Sequence, residues 1–298
     1  MPTVHCAVGC DVRTVHRSRL YAHKAQDWTR ELARGTITAP RNYTGMPMLY
    51  AVILVTLLPL VWRLAASFLG GAGLLSAQQN MDLFLLIGQS NMAGRGVVEE
   101  QDRVPIAGVY ALNKEDKWVP AVDPLHWDKP IAGVGLGRSF ARAVKGNADV
   151  GLIPAAFGGT SLEQWQPGGD LYKEAVRRAR VAMKSGRLRG ILWHQGESDS
   201  GQERLARSYA ARWTVMMTAL RKDLDARDVP VMVGALGPFL EREKHPFADE
   251  VNRQLGTVAL FVSADGLHDK GDKLHFDAAG QRELGVRFAQ AYRSATVK

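Results

Sequence analysis

The sequence predicts an α/β protein with a parallel sheet covered by helices on both faces. Three observations carry this. Short apolar runs recur at 83–87, 109–112, 150–153, 191–193, 231–233 and 258–262. Helical periods separate several of them, as a parallel sheet with crossover helices requires. From residue 81 onward there are no internal repeats and no low-complexity linkers, so 80–298 reads as one domain. The 298 residues are 46% hydrophobic and 23% charged, which suits a globular chain with one large domain plus extras.

The first 80 residues are different. Residues 1–45 are polar and basic and lack a sustained apolar period. They read as disordered, or as an extension produced by an upstream start, with Met46 or Met48 as alternative starts. Residues 46–79 form a hydrophobic segment: no charge occurs from 46 to 62, Arg63 interrupts, and 64–77 is again uncharged. A spanning helix needs about 20 apolar residues, and Arg63 can snorkel to an interface. The segment reads as a signal peptide or as a membrane anchor through 46–77, so the protein is expected to be exported or membrane-anchored. A buried core helix is the alternative.

The formal charge of +8 is unevenly placed, since residues 1–80 hold eight Lys/Arg against three Asp/Glu. The folded part is only mildly basic and has no long Lys/Arg run, so no nucleic-acid partner is expected. Cys6 and Cys10, with His5 and His16 nearby, fit no common zinc spacing, and no metal is expected.

The chain is organised around its first strand. The run at 83–87 is followed by Gly88-Gln89-Ser90-Asn91. A Ser just past the carboxyl end of a buried strand stands at the rim where α/β sheets bind ligands, which suits a nucleophile. After the 109–112 strand, Gly133-x-Gly135-x-Gly137 precedes a helical stretch at 139–144. It lacks the third spacing of a dinucleotide site and the GK[ST] of a P-loop, so it is read as helix-entry packing and no cofactor is expected.

The 150–153 strand leads into Phe157-Gly158-Gly159-Thr160 and then Trp165. Paired glycines leave backbone N–H groups open to an oxyanion. Leu171, Ala175, Ala179 and Met183 recur every four residues, with Gly186 as a stop signal. The 191–193 strand runs into His194-Gln195-Gly196-Glu197, whose amide and carboxylate have no evident structural task. Ser200 and Glu203 form a capping box for a helix marked by Leu205, Tyr209, Trp213, Met217, Leu220 and Leu224. Beyond the 258–262 strand come two acid–histidine pairs, Asp265/His268 and Asp272/His275. An acid three residues before a histidine can hold its imidazole in one orientation. Phe276 offers an apolar anchor and Asp277 a cap for the last helix, which carries Leu284 and Phe288, so His275 is preferred to His268.

Ser early, oxyanion donors in the middle and Asp-x-x-His late resemble the SGNH hydrolases. The Gly88–Asn91 stretch, the glycine turn, His194-Gln195-Gly196-Glu197 and Asp272-Lys273-Leu274-His275-Phe276 look like the sialic-acid-specific acetylesterase and acetylxylan esterase branch, similar to carbohydrate esterase family 6. The resemblance spans about residues 81–295. It implies a three-layer α/β/α, flavodoxin-like fold without a metal, with Ser90 as nucleophile and His275 as general base oriented by Asp272. It also implies an oxyanion hole from Ser90, Gly158 and the Gln195 side chain. Gln89, Asn91, Gly159 and Glu197 are secondary candidates; Gly159 is the alternative to Gly158, and Glu197 to Asp272. Trp165 is a candidate sugar-stacking wall or a core residue. The implied function is a serine esterase acting on an acetylated carbohydrate partner through an acetyl-enzyme. The alternatives are an esterase or lipase on a non-sugar acyl ester, and a catalytically silent carbohydrate-binding module.

Overall fold

The structure, a computed structural model, describes residues 80–296. The extension at 1–45 and the hydrophobic segment at 46–79, with the cysteine pair, lie outside the described residues.

Seven strands form one sheet: β1 (Met81–Gly88), β2 (Val109–Leu112), β3 (Trp118–Pro120), β4 (Val150–Pro154), β5 (Gly186–His194), β6 (Val231–Gly234) and β7 (Leu260–Val262). Their order is β3-β2-β4-β1-β5-β6-β7. Every pairing is parallel except β2 with β3. The chain contributes eight α-helices among the described residues: α1 (Ser90–Ala93), α2 (Glu100–Arg103), α3 (Gly137–Val144), α4 (Asp170–Ala182), α5 (Glu203–Arg207), α6 (Tyr209–Asp223), α7 (Ala248–Leu255) and α8 (Ala278–Thr296).

Alternation along β1 divides the interior, because successive side chains of a strand point to opposite faces. Leu83, Leu85 and Ile87 join one apolar core with Ala175 and Ala179 of α4, Trp213 and Leu220 of α6 and Val251 of α7. Phe84 and Leu86 join the other with Phe140 of α3 and Leu284 and Phe288 of α8. Both faces are buried, which is why the run carries no polar interruption. The result is the expected three-layer α/β/α sandwich. On the second face α3 and α8 approach closely at Gly285, where a Cβ would collide with Leu136 O and Ser139 Oγ.

Several boundaries differ from the sequence reading. Gly186 does not stop a helix; it begins β5, while α4 ends at Ala182 and a short turn intervenes. The long helix expected across 205–224 is split at Ser208 into α5 and α6. The Ser200/Glu203 capping box does not form, because Gln202 occupies the N-cap position. Ser200 Oγ instead donates to Glu197 O, and Glu203 pairs with Arg207. The antiparallel edge strand β3 escaped the apolar pattern because Trp118-Val119-Pro120 is short and half-exposed.

The carboxyl ends of β1, β4, β5 and β6 finish together at one edge. Gly88 pairs with His194 across β1 and β5, with φ +136, and a Cβ there would lie 2.1 Å from His194 O. Only glycine lets the two backbones meet this closely while the chain turns into α1.

Candidate active site

Ser90 opens α1 immediately beyond that turn, and His275 reaches it from the loop before α8. His275 Nε2 lies 3.0 Å from Ser90 Oγ, and His275 Nδ1 lies 2.7 Å from Asp272 Oδ2. The Asp272 carboxyl also accepts the backbone N–H groups of Leu274 and His275 and pairs with Lys270. Burial alone would raise this carboxyl. The backbone and ring donors of His275, then Lys270 and Leu274, outweigh it and hold it well below the usual carboxylate range. Asp272 is therefore an anion, and it fixes the ring with Nε2 as the acceptor facing the serine hydroxyl. The other pair is elsewhere: His268 and Asp265 are exposed, and neither side chain hydrogen-bonds among the described residues.

Asn91 is wholly buried behind Ser90. Its Nδ2 donates to Glu197 Oε1 at 2.5 Å and to Leu274 O at 3.1 Å, and its Oδ1 accepts from Phe276 N at 3.2 Å. Both neighbours of His275 are thus fastened to the residue after Ser90. Glu197 has no bond to His275; it anchors Asn91, and of the two carboxylates only Asp272 contacts the ring.

Two expected oxyanion donors are engaged elsewhere. Gln195 Nε2 has two hydrogens and three acceptors around it: Asp199 Oδ2 at 2.7 Å, Thr160 O at 3.0 Å and Gln89 Oε1 at 3.1 Å. Its Oε1 accepts from the Tyr209 hydroxyl at 2.6 Å, and the residue is fully buried. Gln195 therefore has no N–H left for a substrate and acts as a brace under Gln89. The Gly158 N–H donates to Asp128 Oδ2 at 2.8 Å. Among the described residues, Ser90 N, Gly159 N and Gln89 Nε2 have no acceptor, while Gln89 Oε1 is held by Gln195 and faces the N–H groups of Gly196 and Ser198. All three free donors belong to residues lining one pocket of about 240 Å³ with Ser90 and His275.

Of its two readings, Trp165 is the core residue and not the sugar-stacking wall. It is 1% exposed, packs edge-on against Trp193 at 5.6 Å, and donates to Thr160 Oγ1 at 3.0 Å. It holds the glycine turn from inside the core and presents no face to a sugar.

Sequence reasoning missed Arg95 and Asp128. They form a buried ion pair of 2.6 Å at the pocket and orient the Gly158 backbone. Neither sits in a periodic pattern or beside another reactive residue, so the sequence carried no signal for them. Asp199 and Tyr209, which fix Gln195, are visible only once β5 and α6 are packed together.

The family model for carbohydrate esterases described as sialic acid-specific acetylesterases matches residues 80–294. A probable carbohydrate esterase of Arabidopsis thaliana is 34% identical over 238 residues, covering 71% of this chain and 90% of that protein. Its crystal structure matches with a TM-score of 0.67 at 33% identity, over 72% of this chain and 98% of that one. NanS matches with a TM-score of 0.63 at 19% identity, over 72% and 97% of the two chains. A carbohydrate acetylesterase from Xanthomonas citri matches at 0.53 and 16% identity, over 72% of this chain and 56% of its own. The last two likenesses are of fold.

Proposed function

The chain belongs to the sialic acid-specific acetylesterase family of carbohydrate esterases, and from that premise we propose that it is a serine esterase that removes an O-acetyl group from a carbohydrate. The observation that carries the reading is the relay from Ser90 Oγ through His275 to Asp272, with contacts of 3.0 and 2.7 Å.

In this reading His275 Nε2 takes the Ser90 proton as Oγ attacks the acetyl carbonyl. Asp272 stabilises the imidazolium. The developing oxyanion is received by N–H groups that have no other acceptor: Ser90 N, Gly159 N and the Gln89 amide. Ser90 N keeps its expected role, Gly159 replaces Gly158, and the Gln89 amide replaces that of Gln195. His275 then protonates the departing sugar oxygen, leaving acetyl-Ser90. Water, deprotonated by the same ring, releases acetate and restores the serine. No step calls on a metal or cofactor.

The complete serine, base and acid set argues against a silent sugar-binding module, because binding alone needs no base beside a nucleophile. A non-sugar ester remains the competing substrate class. Acetate release from acetylated xylan, O-acetylated sialic acid and simple aryl acetates separates these readings. Release from a carbohydrate supports ours, release from aryl acetates alone favours the competitor, and no release at all leaves the silent module.

We also propose export or membrane anchoring through 46–77, on the strength of its two uncharged runs. Among the described residues no helix is long and apolar enough to cross a membrane.

A further inference from the structure

The turn that carries Gly159 N–H is not rigid by itself. Gly158 and Gly159 stand in succession, and adjacent glycines have the widest choice of backbone conformation. Gly159 uses that freedom, with φ at +80. Gly158 has no positive φ, and its missing side chain answers to something else. A Cβ there would lie 2.3 Å from Arg95 Nη2, 2.9 Å from Asp128 Oδ2 and 3.3 Å from Ser90 Cβ. Glycine at 158 makes room for a charged pair directly beside Ser90.

Arg95 and Asp128 meet at 2.6 Å, with side chains 2% and 1% exposed. Stability alone is a poor reason for such a pair, because desolvation offsets much of the attraction between buried charges. What the pair holds is more telling. Arg95 Nη1 donates to Gly94 O at 2.6 Å, and Gly94 N donates to Ser90 O at 2.9 Å. Asp128 Oδ2 takes Arg95 Nη2 and also accepts Gly158 N–H at 2.8 Å. The pair thus ties the end of α1, which opens with Ser90, to the glycine turn. Phe157 N is taken by Gly88 O at 3.0 Å. From Phe157 onward, Gly159 therefore carries the first N–H without an acceptor.

We propose that Asp128, steadied by Arg95, is a positioning residue of the acetyl transfer: by holding Gly158 N–H it fixes the turn so that Gly159 N–H meets the oxyanion formed at Ser90. The inference rests on the serine esterase reading above. Donors of this kind are effective only when aimed in advance at the developing charge. Without an acceptor for Gly158 N–H, the two glycines are free to turn the Gly159 peptide away from Ser90.

The test compares the full chain with Asp128→Ala and with an Arg95→Met/Asp128→Leu double variant. The double variant leaves no buried charge unpaired, which guards against loss of the fold. Circular dichroism follows each protein. Substrates are p-nitrophenyl acetate and its thiono analogue, in which C=S replaces C=O. Sulfur is a larger and weaker acceptor, so the kcat/KM ratio of the two esters reads how well the oxyanion is received. A merely structural role slows both esters together and leaves the ratio unaltered. Wild type is expected to prefer the oxygen ester, and both variants to lose roughly 10- to 100-fold of that preference. The loss should fall on kcat, with KM for p-nitrophenyl acetate little changed. A folded variant, single or double, that keeps the wild-type ratio overturns the positioning role. p-Nitrophenyl acetate carries the reacting acetyl group on an activated leaving group. A wild type that hydrolyses neither ester therefore overturns the serine esterase reading itself, and the positioning role with it.

Discussion

Asn91 Nδ2 lies 2.5 Å from Glu197 Oε1, with both side chains out of reach of solvent. The contact matters because of what else Asn91 holds. Its remaining bonds run to Leu274 O and Phe276 N, on either side of His275. Glu197 fixes the amide, the amide fixes the loop, and the loop places an imidazole 185 positions away in sequence against Ser90. Asn91→Ala should therefore lower kcat on an aryl acetate by about 100-fold, the scale expected when a reacting group drifts by about an ångström. KM should change little, since Asn91 meets no substrate. Steady-state kinetics checks this, and a wild-type kcat would show that the loop holds its position without the tether.

The amides of Gln89 and Gln195 should respond differently. Gln89→Ala removes a free donor at the pocket and should cost roughly 10²–10³ in kcat, with little effect on Tm. Gln195→Ala should also slow turnover, because it frees Gln89. It should in addition lower Tm, since it removes a fully buried side chain together with its bonds to Tyr209, Asp199 and Thr160 O. Thermal melts beside kinetics distinguish the two. A Gln195→Ala variant with unaltered Tm would contradict the bracing role.

The histidines separate cleanly. His275→Ala should lose nearly all activity, and His268→Ala should keep it, because His268 is exposed and away from Ser90. Asp272→Asn should cost on the order of 10⁴ in kcat by releasing the imidazole's orientation. Glu197→Gln, which spares that contact, should cost less. If Glu197→Gln proves the more damaging of the two, orientation of the base runs through Asn91 rather than through Asp272.

His126 should oppose the folded state on mild acidification, against buried Asp123, which burial raises to about 7 and which favours it over the same range. Burial pushes this ring down to about 4, against an ordinary value near 6.5. The unfolded chain takes up a proton that the folded chain refuses. The His126 contribution is therefore complete above about pH 6.5 and declines as pH falls towards 4, by roughly 3 kcal/mol in total. Melts of wild type and His126→Phe across that range should show the steeper decline in wild type. Parallel curves would remove His126 from the cause.

Much of this was legible beforehand, for physical reasons. A strand buried on both faces must be apolar throughout, so β1 announced itself, and Gly88 marked where it ends. Ser90 and Asp272/His275 were legible because their chemistry is local: the acid and its ring lie three residues apart. Gln195 was misread because its neighbours Thr160, Asp199 and Tyr209 come from three separate segments, and only packing shows that its N–H groups are consumed. Trp165 faced the same limit. An aromatic residue beside a glycine turn looks alike in sequence whether it points outward or into the core. The 205–224 helical period hid its break because Ser208 does not disturb the apolar spacing. Arg95 and Asp128 meet only through the fold.

The central claim is that Ser90 carries the acetyl group. Its most direct test is acetate release from O-acetylated glycosides by purified wild type and Ser90→Ala, with circular dichroism to show that both are folded. Wild type should release acetate, and Ser90→Ala should fall by about 10⁴–10⁶ in turnover while keeping the same spectrum. A folded Ser90→Ala protein that releases acetate at near the wild-type rate would contradict the account.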